Sequence, residues 1–311
     1  MGCHIIYDEK EITSIDFFQG LISKGFKMRY GNNPDKYAYL RYVWERKHII
    51  DAGFSDYYLM ASWLFRVHAN AAGIEFWARG AMPSSIICYC LGLTEIDPLK
   101  YGLHSVRFVN DEKPKFQFDI ERSRYDEFIK IVDDVIAAES ELKFISDAQA
   151  ICDCIIDGLS PVDYLSRKKE SPLPEDLEDE IARYALIHPD TMDMYDTYMR
   201  RKSDGLWTKH GMKLDKILAP TCGFVVYQEQ MLDILCQFFR ITNIEANQIR
   251  LSIQRGETEQ MEAYKKELFS NLKDISEKKA EWLWEKLTSN PHAFLKAHAV
   301  SRVLAKYKFE F

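Results

Sequence analysis

One stretch of this chain breaks step with the rest. Between Ser105 and Ile120, the apolar residues Val106, Phe108, Phe116, Phe118 and Ile120 alternate with polar ones around an Asn110-Asp111 turn signal, which is the period of half-buried strands. Elsewhere apolar residues return at helical intervals. Phe17, Phe18, Leu21, Ile22 and Phe26 mark a helix over 15–29, stopped by Gly31 to Pro34, and helices follow over 37–51, 55–73, 84–92 and 125–138. Leu142 to Ile145 is read as a third short strand, and from Asp147 onward the pattern is helical throughout, broken at Gly158–Pro161, Ser171–Pro174, His188-Pro189, Gly205, Pro220–Gly223 and Pro291. The expected fold class is therefore α+β, mostly helical, with one small sheet.

A chain of 311 residues that is 47% hydrophobic can bury a large core without staples. No run of eighteen apolar residues occurs and the first residues do not form a signal peptide, so a cytoplasmic protein with no membrane partner is expected. The net charge of −7 is the wrong sign for coating nucleic acid by counterion release, so any such contact has to be local. The best local basic surface is the C-terminus, where Lys296, Arg302, Lys306 and Lys308 gather. Cys88/Cys90 and Cys152/Cys154 lie in apolar runs and lack Cys-x-x-Cys spacing, so they read as buried thiols rather than zinc ligands.

The run Gly92-Leu93-Thr94-Glu95-Ile96-Asp97-Pro98-Leu99-Lys100-Tyr101-Gly102-Leu103 follows no generic helix or turn rule. It resembles the G-I-T-x-[IV]-D-P-L-x-Y run of bacterial DNA polymerase III alpha subunits, and Arg107 to Asn110 continues the match as R-F-L-N. Pro220 to Gln230 resembles that family's P-T-Y-G-[IV]-x-[IL]-Y-Q-E-Q. Pro174–Ala182 with Tyr198–Lys202 resembles its fingers segment, and Phe294–Ala299 resembles F-N-K-S-H-[AS]. The opening helices, from Phe17 to Ile74, resemble the stretch that follows the family's N-terminal phosphoesterase-like domain. The resemblance implies a remnant nucleotidyltransferase-like palm with N-terminal helices over 1–145, its thumb reduced to about 121–140, followed by helical fingers over 146–311. With neither a phosphoesterase-like domain nor a clamp-binding module in the sequence, processive replication is not expected.

Nucleotidyl transfer uses two metal ions about 4 Å apart, held by carboxylates. The family carries two of its aspartates in a P-D-x-D-x-D strand, where alternate residues share a face. The matching positions here are Pro114-Lys115-Phe116-Gln117-Phe118-Asp119, so Lys115 and Gln117 stand for the two ligands and Asp119 survives at the third position. The third catalytic aspartate, in a V-K-F-D-F strand, aligns with Ile145. The resemblance thus predicts a degenerate site with no catalytic residue and no resident metal, and Mg²⁺ only if substitute carboxylates such as Asp111, Glu112, Asp119 or Asp147 rebuild one.

The family's glycine-rich phosphate loop is also altered, reading Phe76-Trp77-Ala78-Arg79-Gly80-Ala81-Met82-Pro83-Ser84-Ser85. Arg79 and Gly80 are kept, while Trp77, Ala78 and Met82 replace residues that let a phosphate approach the backbone. The alternative for this stretch is a structural helix start at Pro83 and Ser84. Remaining candidates for a phosphate of DNA or nucleotide are Lys143, Arg250, Arg255, Lys296, His298 and Arg302. Against them stand solvated arginines paired with Glu257 or Glu259 and a packed structural His298.

Three functions stay open on the sequence. One is a pseudo-polymerase that binds primer-template DNA, nucleotide or a replisome partner. Another is an accessory or decoy protein of a mobile element that no longer touches DNA, and the third is a weak polymerase with substitute carboxylates.

Overall fold

In a computed structural model the described residues are 4–7, 10–137, 148–162, 176–273 and 275–309, with side chains described from residue 13 onward. They form two units, residues 1–166 with 304–311 and residues 167–303. Helices predominate, accompanied by a hairpin and a three-stranded sheet.

The first unit begins with the antiparallel hairpin β1 (His4–Tyr7) and β2 (Lys10–Thr13), with Ile5 opposite Ile12. Thr13 then caps α1 (Ser14–Tyr30), its hydroxyl accepting from the Asp16 N–H, and Lys27 and Arg29 in the last turn match the helix dipole. After α2 (Lys36–Asp51) and α3 (Ser55–Ser62) the chain runs through a π-helical segment, Trp63–Ala69, before β3 (Phe76–Ala78). A short helix α4 (Ile86–Cys90) lies against α1, where a Cβ on Gly25 would stand 2.0 Å from the Cys90 carbonyl oxygen. Only glycine permits that approach. The unit continues with β4 (Phe118–Glu121), α5 (Tyr125–Ala137), α6 (Ala148–Ile156) and β5 (Leu159–Val162).

The sheet order is β3-β4-β5, antiparallel between the first pair and parallel between the second. One face of β4 is apolar. Phe118 stacks on Phe65 with ring centroids 3.7 Å apart, and Phe65 stacks in turn on Phe128 of α5 at 4.9 Å. Phe116 packs edge-on against Tyr58 at 5.2 Å. Burying each such ring contributes roughly 1.5–3 kcal/mol, so this aromatic stack fixes the face that β4 presents.

Two sequence expectations need correction. The first half of the alternating stretch is not a strand: Ser105–Arg107 is a 3₁₀ turn, and Phe108 meets Phe116 edge-on at 5.6 Å as a core contact rather than a ladder neighbour. Nor is the chain helical throughout after Asp147, because β5 pairs with β4 at Leu159↔Phe118 and Pro161↔Ile120. β5 is an edge strand, where proline is tolerated. Gly158 before it lies so close to Phe116 that a Cβ would fall 1.7 Å from the Phe116 carbonyl oxygen. The strand expected over 142–145, with Lys143 and Ile145, and the candidate Asp147 lie outside the described residues.

The second unit is helical: α7 (Leu177–Leu186), α8 (Tyr195–Asp204), α9 (Met212–Leu218), α10 (Gln228–Phe239), α11 (Asn243–Arg255), α12 (Thr258–Ser270), α13 (Glu277–Thr288) and most of α14 (Lys296–Phe309). Asp179 anchors it. Its buried carboxylate accepts from the Tyr198 hydroxyl at 2.7 Å and from Arg183 Nη2 at 2.7 Å. Burial, followed by the bond to Asp179, pushes the Tyr198 phenol well above its ordinary range.

The Tyr227-Gln228-Glu229-Gln230 run is a knot of backbone satisfaction. Gln230 accepts from the Val226 and Tyr227 N–H groups and donates to Thr221 Oγ1 and the Ile217 carbonyl. Glu229 accepts from the Lys296 and Ala297 N–H groups at 2.8 and 3.2 Å, capping α14.

Candidate functional site

The polar residues of the first unit's sheet converge on Asp119. It lies opposite Trp77 across the β3–β4 pair and is fully buried, while Phe118 and Ile120 on either side face the aromatic core. Alternation therefore turns Asp119 and Gln117 to the other face. β4 begins at Phe118, and the Arg79 N–H donates to the Gln117 carbonyl at 2.9 Å, extending the ladder by one step. Lys115 lies before it and is exposed.

Arg79 closes over Asp119. Its Nε lies 3.1 Å from Asp119 Oδ1, its Nη2 donates to Ser160 Oγ at 2.7 Å on β5, and its side chain is 17% exposed against 0% for Asp119. Gly80 follows at φ +64°, in the left-handed region, and a Cβ there would stand 1.7 Å from Gln117 Oε1. The structure thus brings together Arg79, Gly80, Gln117 and Asp119. On the same face Trp77 is 6% exposed, with Phe309 edge-on at 5.9 Å and Lys308 5.3 Å above its ring.

This arrangement does not fit a pair of divalent ions. Metal ligands would have to be carboxylates, and the buried one on this face, Asp119, is held against a guanidinium. Among the described residues no group of three His, Cys, Asp or Glu is placed to hold a metal ion.

A second cluster lies at the start of α4, unmarked by any motif. Glu45, fully buried on α2, accepts from the Ile86 and Ile87 N–H groups, each at 3.2 Å, and from Ser85 Oγ at 2.7 Å. Arg41 pairs with Glu45 at 3.0 Å and also donates to the Ser84 and Leu103 carbonyls. The helix that follows the phosphate-loop segment therefore has its first free N–H groups engaged by a carboxylate of the protein itself. A buried glutamate in an i, i+4 pair with arginine reads in sequence as an ordinary surface pair, which is why it went unmarked.

The other candidates disperse. Arg250 is buried, donating to Asn247 Oδ1 at 3.1 Å and Gln254 Oε1 at 2.7 Å, so it is not a solvated helix residue. Arg255 is exposed and lies 3.6 Å from Glu257. Lys296 Nζ is 3.4 Å from Glu178 and 5.6 Å from the Tyr227 ring centroid. His298 packs among the rings of Tyr184 and Phe294, at 6.3 and 5.9 Å, and Arg302 is half-buried on α14. No helix among the described residues is long and apolar enough to cross a membrane.

Comparison with known proteins meets this architecture in the same two pieces. The bacterial DNA polymerase III alpha NTPase domain profile matches residues 16–145, and the finger domain profile of the same subunit matches residues 170–276. Among curated proteins, the error-prone DNA polymerase of Cutibacterium acnes is 34% identical over 123 residues, 39% of this chain and 11% of that protein. The DNA polymerase III subunit alpha of Staphylococcus epidermidis is 39% identical over 103 residues, 32% of this chain and 10% of that protein. The Bacillus subtilis subunit alpha is 34% identical over 121 residues, 38% of this chain and 11% of that protein. The matched segments thus span about a tenth of the length of these relatives. With both domain profiles in order and the motif blocks placed on a small sheet and a helical unit, the chain belongs to the bacterial DNA polymerase III alpha family.

Proposed function

We propose that this chain is a catalytically inactive polymerase relative, a palm-like unit of residues 1–145 and a fingers-like unit of 146–311 that binds primer-template DNA, nucleotide or a replication partner without extending a strand. The observation that carries this reading is the Arg79–Asp119 pair. Two-metal transfer needs its carboxylates free to take divalent ions, and here the surviving carboxylate is compensated by a fixed organic cation. Lys115 and Gln117, at the other two positions of the run, offer an ammonium and an amide in place of ligands.

Glu45 supports the same reading from the opposite sign of charge. A helix N-terminus that would favour a phosphate already holds a carboxylate. Both charges that a nucleotide and its metal ions would bring are supplied by side chains.

Primer extension with the purified chain tests this. With Mg²⁺ or Mn²⁺ and all four deoxynucleoside triphosphates, no extension is expected. Template-dependent incorporation that disappears in Asp119→Ala would refute the proposal and establish a polymerase with a substitute carboxylate.

A further inference from the structure

β3 forms one edge of the first unit's sheet, and a cleft of about 280 Å³ runs along it. Residues 73–78, which are β3 and its lead-in, line one part, residues 92–95 after α4 line another, and Arg66, Asn70 and Lys308 complete it. No residue of β4 reaches the cleft, so it lies on the side of β3 that has no neighbouring strand among the described residues. The pairing of Arg79 with Gln117 fixes which main-chain groups turn that way. Hydrogen-bonded pairs alternate along an antiparallel ladder. With the Arg79 N–H on the Gln117 carbonyl, Trp77 therefore bonds inward to Asp119, and Phe76 directs its N–H and C=O outward.

The cleft carries both signs of charge. Arg66 leans against Gly92, where a Cβ would stand 2.8 Å from its Nε, and Lys308 Nζ lies 5.3 Å from the Trp77 ring centroid. Both side chains are exposed, and neither forms an ion pair among the described residues. Of the two acids, Glu95 is held by Arg29 at 3.3 Å. Glu75 is exposed and has no ion-pair partner among the described residues.

An edge strand offers main-chain hydrogen bonds to an extended peptide, and the side chains beside it decide which peptide is accepted. Two unpaired cations favour an anion, and one unpaired carboxylate favours a cation. We infer that this cleft takes the C-terminal end of an extended segment of a partner protein. Its terminal carboxylate rests on Arg66 and Lys308, a basic side chain meets Glu75, and its backbone runs against Phe76. A simple anion would satisfy the cations and leave Glu75 facing a like charge. The volume, just under the roughly 300–1,000 Å³ of small-molecule sites, suits the last residues of a chain rather than a strand passing through.

The inference deepens the partner-binding part of the proposed function, and the two fail separately. Strand extension would refute the loss of catalysis without touching this cleft. Peptides are selected on the full chain from a randomised library anchored by its N-termini, so that every C-terminus is free. The selected sequences should carry Lys or Arg and, synthesised as free acids, bind saturably in fluorescence polarisation. Converting the terminal carboxylate of a selected peptide to an amide should weaken binding on the order of tenfold, as should Arg66→Ala and Lys308→Ala, whereas Lys36→Ala should not. Glu75→Gln should weaken the basic peptide and leave a version with glutamine in place of its basic residue unaffected. No enrichment from the library, amides that bind as tightly as free acids, or unchanged affinity in both Arg66→Ala and Lys308→Ala would each overturn the inference.

Discussion

Arg79 Nε rests 3.1 Å from Asp119 Oδ1, so an arginine from the segment after β3 holds a carboxylate on β4. Neither residue is far in sequence from a family motif, and their meeting sets a guanidinium against the carboxylate that the strand run keeps.

Breaking the pair from either side should be costly. Asp119→Asn and Arg79→Met are each expected to lower unfolding free energy by about 3–5 kcal/mol, because each leaves a buried charge without its counter-ion. Urea denaturation of the two single variants and the double variant measures the coupling. A coupling energy near zero would show that the pair does not hold β3 to β4.

Gly80 should resist any side chain. Its φ of +64° costs a non-glycine residue roughly 1–2 kcal/mol, and the new Cβ must displace the Gln117 amide. Combining Gly80→Ala with Gln117→Ala should recover the steric part and leave the backbone part. Thermal melts of the two variants separate these contributions.

In the second unit, Asp179→Ala should destabilise by about 3–5 kcal/mol by stranding Arg183. Tyr198→Phe should cost on the order of 1–2 kcal/mol. Equal losses would contradict the arrangement in which Asp179 serves both partners.

His210 gives the unit a pH signature. Its folded pKa lies below the ordinary value of about 6.5, through burial first and then the charges of Lys279, Lys286 and Arg201, opposed by Asp215. Below about pH 6.5 the unfolded chain binds the proton more readily than the folded one, so stability falls as pH drops through that window and is unaffected by this group above it. In His210→Gln the slope of the urea midpoint against pH should flatten between pH 6.5 and the folded value. A slope identical to the parent would show that the imidazole titrates normally.

Much of this architecture was legible from periodicity. The helix over α1, the break at Gly31 and the split between α2 and α3 follow from apolar spacing and turn residues, because these elements make their contacts through one continuous stripe. The sheet was only half legible. Phe116, Phe118 and Ile120 announced β4, but β3 and β5 are three and four residues long and carry too few alternations to register, while Pro161 argues against a strand until its edge position is known. At the site, Arg79, Gln117 and Asp119 each stood out in the sequence for separate reasons, and the ion pair joining the first to the last depends on sheet register. Glu45 was invisible for a related reason, since its partners, the Ile86 and Ile87 amides, are main-chain groups about forty residues away.

The guanidinium over Asp119 also sets the direction in which such a palm can change. Removing Arg79 alone strips a buried carboxylate of its counter-ion, and placing an aspartate at 117 alone adds a charge against the tight Gly80 turn. Each single substitution toward a metal site thus leads first through a less stable protein. Only their combination would free Asp119 and set a second carboxylate beside it, so the Arg79–Asp119 pair opposes any stepwise approach to a metal site.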